Sequence, residues 1–551
     1  MRLAFCAVAL LALACLLIRA GRLGMAGDYI DPFSHIGAQD EALYAHSAIQ
    51  MAQHGGWLTP MFMGRYGLYK PPLLAATAGL SARILGVSRL ALRLPAALLA
   101  SLAVGLVFWW VAEVNCWQAG ACAAALLASN HLWHTLASMC LTDGLLAAFY
   151  VAALYCLLAD PWLESRWALW GYAGAVAASI LTKSVAGLLP LAVLGLYWIF
   201  APRKYRPRFW RVVGAGALSL ALAAPWFLYQ LAVHGRWFFA EHIGVEILGF
   251  GAGTPPQTSQ ENQALFYLTR MALLDPVLLA AAAASIPTFA RELRRRSAPG
   301  ILLLFGLTLP ATAVLVWQYR NVSYLLPLIP TMAIFATAYN PLCSGRTAKW
   351  MLVLVVAAFV AKASLPGATW GLPFRTGTTV AVAPLLSDYC QRTRGNELIL
   401  VDTPDELYAS LLPIPKVRYV LQGALPAAGV YGLDFPSMGI ILNERQFDDL
   451  PQWMPGFRDR LHAWGLDSTA AVGTVVLVDS PQEVAAIVAA HPDSDFFLPM
   501  AQALAACQPG VGKSACGTNA THDAVTISPD YVLLLSRHAL PAPAARWSCR
   551  L

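Results

Sequence analysis

Long apolar runs separated by short polar breaks set the pattern of this chain. A membrane-crossing helix needs about 20 mostly apolar residues. Such runs recur near 3–20, 70–87, 93–112, 117–135, 141–159, 167–182, 184–201, 211–231, 268–288, 300–317, 322–340 and 350–366. The stretch 167–201 holds two runs back to back, with Lys183 at the turn between them. After Gly367 the pattern changes. Glu397 to Asp402, Gly439 to Leu442, Thr474 to Val478 and Tyr531 to Leu535 are short runs rich in branched residues and read as buried strands. Between them, Asp405 to Leu412, Gln446 to Trp453 and Gln482 to Ala490 read as helices. The predicted fold class is therefore an α-helical multi-pass membrane protein with a C-terminal soluble α/β domain. The first domain covers 1–366, with a polar loop at 21–69, and the second covers 367–551.

Composition agrees. Of 551 residues, 58% are hydrophobic and 12% charged, against about 25% charged in a soluble domain. The mean hydropathy is +0.57. The net charge of +7 does not point to nucleic acid, because the basic residues cluster in short loops at 203–211, 291–296 and 346–349. Such clusters mark cytoplasmic loops. They alternate with 232–267, 318–321 and everything after 367, which are expected outside, together with Asp143 and Lys183. Counting forward from a cytoplasmic N-terminus also puts 21–69 outside, but the two counts differ by one span. An additional hidden span between 70 and 140, thirteen in all, is the expectation. Arg2 and the apolar run after it also fit a cleaved signal peptide, although no clean small-x-small site follows.

The eleven cysteines form no CxxC pair and no zinc spacing. Cys507 and Cys516 lie in a polar stretch and can pair if that region is outside the cytoplasm.

Ionisable groups at membrane depth are costly and mark function, and the loop between the first two runs gathers them. Asp40-Glu41 opens an amphipathic helix running to His54, with Tyr44 on it, and the loop ends in Arg65-Tyr66-Gly67-Leu68-Tyr69-Lys70-Pro71-Pro72. The plain reading makes Asp40 an N-cap, Glu41 a partner of the helix dipole and Lys70 a snorkelling lysine. The functional reading makes Lys70 a phosphate ligand at headgroup level, assisted by Arg65. Asp143 either caps its helix or faces Asp40 across a cavity. Glu241 and His242 lie either on a surface helix or against a substrate or metal, without ligand spacing that supports a metal. Tyr324 lies one turn from Arg320 and can reach a phosphate oxygen.

Taken in order, Ala38-Gln39-Asp40-Glu41-Ala42-Leu43-Tyr44, Tyr69-Lys70-Pro71-Pro72, Leu141-Thr142-Asp143 and Phe239-Ala240-Glu241-His242 resemble the GT-C membrane glycosyltransferases. Within these the chain most resembles the bacterial aminoarabinose transferases of lipid A, relatives of the protein O-mannosyltransferases. The resemblance implies a GT-C type fold of about 12–13 spans. It implies an undecaprenyl-phosphate sugar donor and a lipid A or other glycolipid acceptor, at the periplasmic face of a bacterial inner membrane. It matches Asp40 to a catalytic acid, Lys70 to a donor-phosphate ligand, Asp143 to a second acid of the cavity and Tyr324 to a phosphate-contacting tyrosine. Glu41, Tyr44, Arg65, Glu241 and His242 are the further substrate-binding candidates. Two departures stand out. Tyr69 replaces a Glu beside His242, which weakens the case for a divalent metal without closing it. Val245 replaces an Arg, for which Arg236, Arg270 or Arg320 can substitute. A protein acceptor is the alternative. A transporter is a lesser one, because the charges gather at one face and no repeat is visible.

Overall fold

The computed structural model describes residues 2–22, 40–62, 65–68, 70–235, 238–249, 251, 262–344 and 347–364, and beyond them six strands. Each expected apolar run up to residue 366 falls on helix. In chain order these are α1 (Arg2–Arg22), α2 (Asp40–His54), α3 (Leu73–Leu85), α4 (Arg89–Val114), α5 (Trp117–Ser129), α6 (His131–Leu136), α7 (Thr142–Ala159) and α8 (Arg166–Lys183). There follow α9 (Leu189–Phe200), α10 (Phe209–His234), a π-helix over Phe239–Gly249, α11 (Gln263–Leu274), α12 (Pro276–Arg294), α13 (Ala298–Val316), α14 (Leu328–Ala338) and α15 (Thr347–Ser364). By length and apolarity, five stretches among the described residues can cross a membrane, and six if α11 and α12, bent by 107°, are one broken span. α10 is apolar all round and leaves Val213, Leu220, Leu228 and Val233 exposed, as a helix facing lipid does.

Two runs expected to be straight are broken, each by a polar residue. Asn130 divides α5 from α6, its carboxamide oxygen accepting from the Trp133 N–H at 2.9 Å. Asp275 divides α11 from α12, accepting from the Leu278 N–H at 3.1 Å ahead of Pro276. The two breaks are joined, Asn130 Nδ2 donating to Asp275 Oδ2 at 2.7 Å.

The mismatch of one span turns on the run 70–87. α3 packs along α2 through Gly79, where a β-carbon would come within 2.8 Å of the Ala48 carbonyl oxygen. α4 then starts at the same end of the bundle as α2. Arg93, about one turn into α4, donates from Nε and Nη2 to the two carboxylate oxygens of Glu41, each at 2.6 Å. Glu41 Oε1 also accepts from the Cys140 N–H at 2.8 Å, just ahead of α7. Burial and the Glu41 carboxylate push the Cys140 thiol well above its ordinary pKa. If 70–87 crossed the membrane, Arg93 would lie a full bilayer thickness from Glu41. α3 therefore lies beside α2, and α4 is the first helix in the chain long and apolar enough to cross a membrane among the described residues.

Residues 166–200 have the length and apolarity of one continuous stretch of 35 residues, but the chain reverses inside it. Gly187 folds back against α8, where a β-carbon would lie 2.3 Å from the Ile180 nitrogen. Tyr172 donates its hydroxyl hydrogen to the Pro190 carbonyl at 2.7 Å. Trp162 Nε1, before α8, donates to the Lys204 carbonyl beyond α9 at 3.0 Å. α8 and α9 are thus antiparallel, and Lys183 stands at the end of the bundle that also holds Glu41 and Asp143. The basic residues 203–208 stand at the other end. There, Asn115 Nδ2 donates to the carbonyls of Ala338 and Cys343 at 3.2 and 3.4 Å.

Beyond the helices, the strands β3 (Leu398–Val401), β4 (Val417–Val420), β5 (Val475–Val478), β6 (Ala515–Thr518), β7 (His522–Ser528) and β8 (Tyr531–Ser536) form one mixed sheet in the order β4-β3-β5-β8-β7-β6. β3 pairs parallel with β4 and β5, while β8 pairs antiparallel with β5 and β7. The strand expected at Gly439 to Leu442, the three helices expected between strands, and Cys507 lie outside the described residues. The hairpin of β1 (Met61–Phe62) and β2 (Arg65–Tyr66) belongs to the polar loop, pairing Met61 with Tyr66 and Phe62 with Arg65.

Two predictions follow from the Glu41–Arg93 pair and the position of α3. Both partners are fully buried, so Arg93→Ala strands an unpaired carboxylate and should cost about 3–5 kcal/mol, whereas the joint swap Glu41→Leu with Arg93→Met should cost less. Thermal unfolding in detergent reads the order, and an Arg93→Ala protein as stable as wild type would contradict the pair. In a cysteine-free background, thiols placed at Arg83 and Gly235 should react with a membrane-impermeant reagent from one side, and a thiol at Arg295 only from the other.

Candidate functional site

Four stretches far apart in sequence deliver charge to one cavity of about 210 Å³. The polar loop brings Lys70. Its approach is fixed by the β1–β2 hairpin, closed by the Gly67 N–H donating to the Pro60 carbonyl, and by Pro71-Pro72, whose second proline caps α3. Prolines suit a first helical turn because their rigid φ is pre-set for it. α10 clamps the same loop: Trp226 Nε1 and Gln230 Nε2 both donate to the Leu58 carbonyl at 2.6 Å.

Asp143 sits in the first turn of α7 and Lys183 in the last turn of α8. Each complements the dipole of its own helix, and they meet, Nζ to Oδ1, at 2.6 Å. The Lys183 ammonium also lies 4.5 Å from the centre of the Tyr324 ring, within cation–π range. Lys70 makes an ion pair with Glu246 of the π-helix. Lys70, Asp143, Lys183, Glu246 and Tyr324 all line the cavity, and Leu146, Val185, Leu189, Val314 and Trp317 give it an apolar wall. Asp143 and both lysines are largely buried, so solvent screens these charges weakly.

His242 stands behind this cluster and ties it together. It is 1% exposed and stacks on Phe238 with ring centres 4.9 Å apart. Its Nδ1–H faces the Leu68 carbonyl at 2.9 Å, and Nε2 accepts from Ser184 Oγ at 2.8 Å. The histidine thus joins the loop that carries Lys70 to the residue after Lys183. Ser184 has φ +42°, a left-handed value that a serine rarely adopts. With both ring nitrogens engaged, His242 offers no lone pair to a metal. Among the described residues no cluster of three His, Cys, Asp or Glu side chains could hold one.

The remaining candidates distribute as follows. Glu41 and Tyr44 are buried at 0% and 4% exposure, Glu41 in its pair with Arg93 and Tyr44 in the hydrophobic core of α2. The side chains of Asp40, Arg65 and Glu241 lie outside the described residues, as do Tyr69 and Arg236. Arg270 and Arg320 are both buried and share Phe266, the Arg270 guanidinium 3.9 Å and that of Arg320 5.7 Å from the ring centre. Lys183 and Glu246 were not among the expected site residues. Lys183 carried a usable signal, a lysine at a turn between two spans where charge is costly. Glu246 belongs to the polar set of the loop 232–267, but its pairing with Lys70 comes from the fold.

Two lysines, each paired with a carboxylate, thus stand beside an apolar wall at one end of the bundle. The chain has the fold of the GT-C membrane glycosyltransferases. Residues 11–236 match the family model of the dolichyl-phosphate-mannose-protein mannosyltransferases. Crystal structures of ArnT from Cupriavidus metallidurans superpose over 98% of both chains at 16% identity, with TM-scores of 0.60 in the apo state and 0.59 bound to undecaprenyl phosphate. An uncharacterised protein of Aquifex aeolicus (strain VF5) is 28% identical over 206 residues, 37% of this chain and 41% of that relative's length.

His242→Ala removes two hydrogen bonds and a ring stack from a buried place. Each lost bond should cost about 1 kcal/mol, and the unfolding midpoint should fall by several degrees. His242→Gln, which can keep one of the bonds, should fall less. Equal midpoints for His242→Ala and wild type would show that the histidine does not tie the loop down.

Proposed function

We propose that this protein is an inverting glycosyltransferase that takes a sugar from a polyprenyl-phosphate donor and passes it to lipid A or another envelope glycolipid. The observation that carries the reading is the convergence of Lys70 and Lys183 with Asp143 and Tyr324 on one largely apolar cavity. The undecaprenyl phosphate bound by ArnT, a protein of the same fold, supports a prenyl carrier here. The basic residues 203–208 and 291–296, with Lys349, occupy the opposite end of the bundle. Under the positive-inside rule this supports a site at the periplasmic face of the inner membrane, with residues 367–551 as a periplasmic α/β domain.

The chemistry asks little of a strong acid. The lipid phosphate is already a good leaving group, so catalysis is mainly neutralisation of the charge that develops on its oxygens. Lys70 and Lys183 supply that charge from two sides, and the Tyr324 hydroxyl adds a donor. Asp143 holds Lys183 in place. Asp40 accepts the proton of a hydroxyl acceptor as general base, or orients an acceptor that is itself a phosphate. One displacement on the sugar inverts its anomeric carbon. The apolar wall and the lipid-facing helices receive the prenyl tail. No step is routed through a metal.

A protein acceptor is the second reading, favoured by the match of residues 11–236 to protein mannosyltransferases. Both readings share the donor half of the site. Purified protein given a polyprenyl-phosphate sugar and, in parallel, lipid A or an unfolded polypeptide should release polyprenyl phosphate only with the true acceptor. Lys70→Ala and Lys183→Ala should each lower kcat/KM by about 100-fold or more. Asp40→Asn should lower it with a hydroxyl acceptor and less with a phosphate one. Unchanged release by both lysine variants would sink the reading.

A further inference from the structure

The two ion pairs of the cavity are built differently. Asp143 and Lys183 belong to the ends of two long helices and are held by them, Asp143 being 4% exposed. Glu246, the partner of Lys70, stands on the π-helix Phe239–Gly249. A π-helix is rare in proteins, is confined mostly to single-turn bulges, and recurs at functional sites. Here it runs for 11 residues. It is pinned through His242 to Leu68 and Ser184, while Leu248, two residues beyond Glu246, is 63% exposed. Tightening the turns after His242 into α-helix would swing Glu246 about the helix axis while leaving His242 in place.

Charge counting gives that swing a purpose. With Glu246 present, the cavity holds two ammonium groups and two carboxylates, and an entering anion meets a neutral site with a carboxylate already on the lysine it needs. With Glu246 withdrawn, the cavity carries one net positive charge, which matches a phosphodiester. A carboxylate and a phosphate on the same lysine in a weakly hydrated cavity would repel each other strongly.

We infer that Glu246 is an exchangeable counter-ion: it occupies Lys70 while the donor site is empty, yields Lys70 to the donor's phosphate, and returns to eject the product. The inference rests on the proposed binding of the donor phosphate by Lys70. It makes Glu246 a positioning residue that sets how tightly lipid phosphates are held and how fast they leave. The product, a phosphate monoester, is more strongly charged than the donor and is held more tightly by a bare lysine. The return of Glu246 therefore matters most at release.

The experiment measures undecaprenyl phosphate binding to the full-length protein in detergent for wild type, Glu246→Gln, Glu246→Ala, Glu246→Asp and Lys70→Ala, and for Glu246→Gln in the Lys70→Ala background. Glu246→Gln and Glu246→Ala should bind roughly tenfold more tightly than wild type, Glu246→Asp should stay near wild type, and the gain should vanish without Lys70. In turnover, Glu246→Gln should lower KM and kcat together, the mark of slowed release. Binding by both neutral variants that is equal to or weaker than wild type, or a gain that persists without Lys70, overturns the inference. If Lys70→Ala alone binds as tightly as wild type, the donor-site reading fails and the inference with it. If Lys70→Ala weakens binding but neutralising Glu246 changes nothing, only the inference fails.

Discussion

A carboxylate cannot be left alone in a membrane-depth core, and the bundle is organised around the place where one is not. Glu41 is fully buried, accepts from Nε and Nη2 of Arg93 at 2.6 Å each and accepts the Cys140 N–H as well. That one group joins the start of α2, the first turns of α4 and the turn that launches α7. Lys70 follows α2 and stands just ahead of α3, and Asp143 follows Cys140 by three residues. Both halves of the cavity are therefore placed by the same pair. Removing either partner would leave a charge that neither water nor lipid can solvate.

The cavity repeats that logic with a looser grip. Lys183 and Asp143 each sit at the helix end whose dipole suits their charge, so their pairing adds to a preference each already has. Lys70 comes from a loop, whose backbone is held by Trp226 and Gln230 on Leu58 and by His242 on Leu68. A site that must admit an anion and let it go needs one cation that is fixed and one whose partner can change. The difference between a helix-end carboxylate and one on a π-helix provides that contrast.

Much of the frame was legible beforehand. Apolar length located each helix of the bundle, because the cost of exposing backbone and polar groups to lipid leaves a strong mark on composition. Lys70, Asp143 and Tyr324 stood out as polar groups at the ends of spans, and all three line the cavity. Other features were written in the chain and read past. Asn130 and the Asp275-Pro276 step are ordinary helix-start signals, yet they lie inside runs apolar enough to pass as continuous spans. The run 70–87 is the opposite case. Its composition suits a span, but only the pairing of Arg93 with Glu41 shows that it lies beside α2.

The sequence alone determined which segments are helical and apolar, where charge is concentrated, and that the chain lives in a membrane, since all of these are local consequences of side-chain solvation. The tertiary structure decided which charges meet. Glu41 and Lys70 both lie in the polar loop and look alike as candidates, yet one is buried against Arg93 and the other faces Asp143, Lys183 and Glu246. Partners so far apart along the chain are chosen by packing, through the need of each buried charge for an opposite one within a few ångströms, and that choice has no local signature.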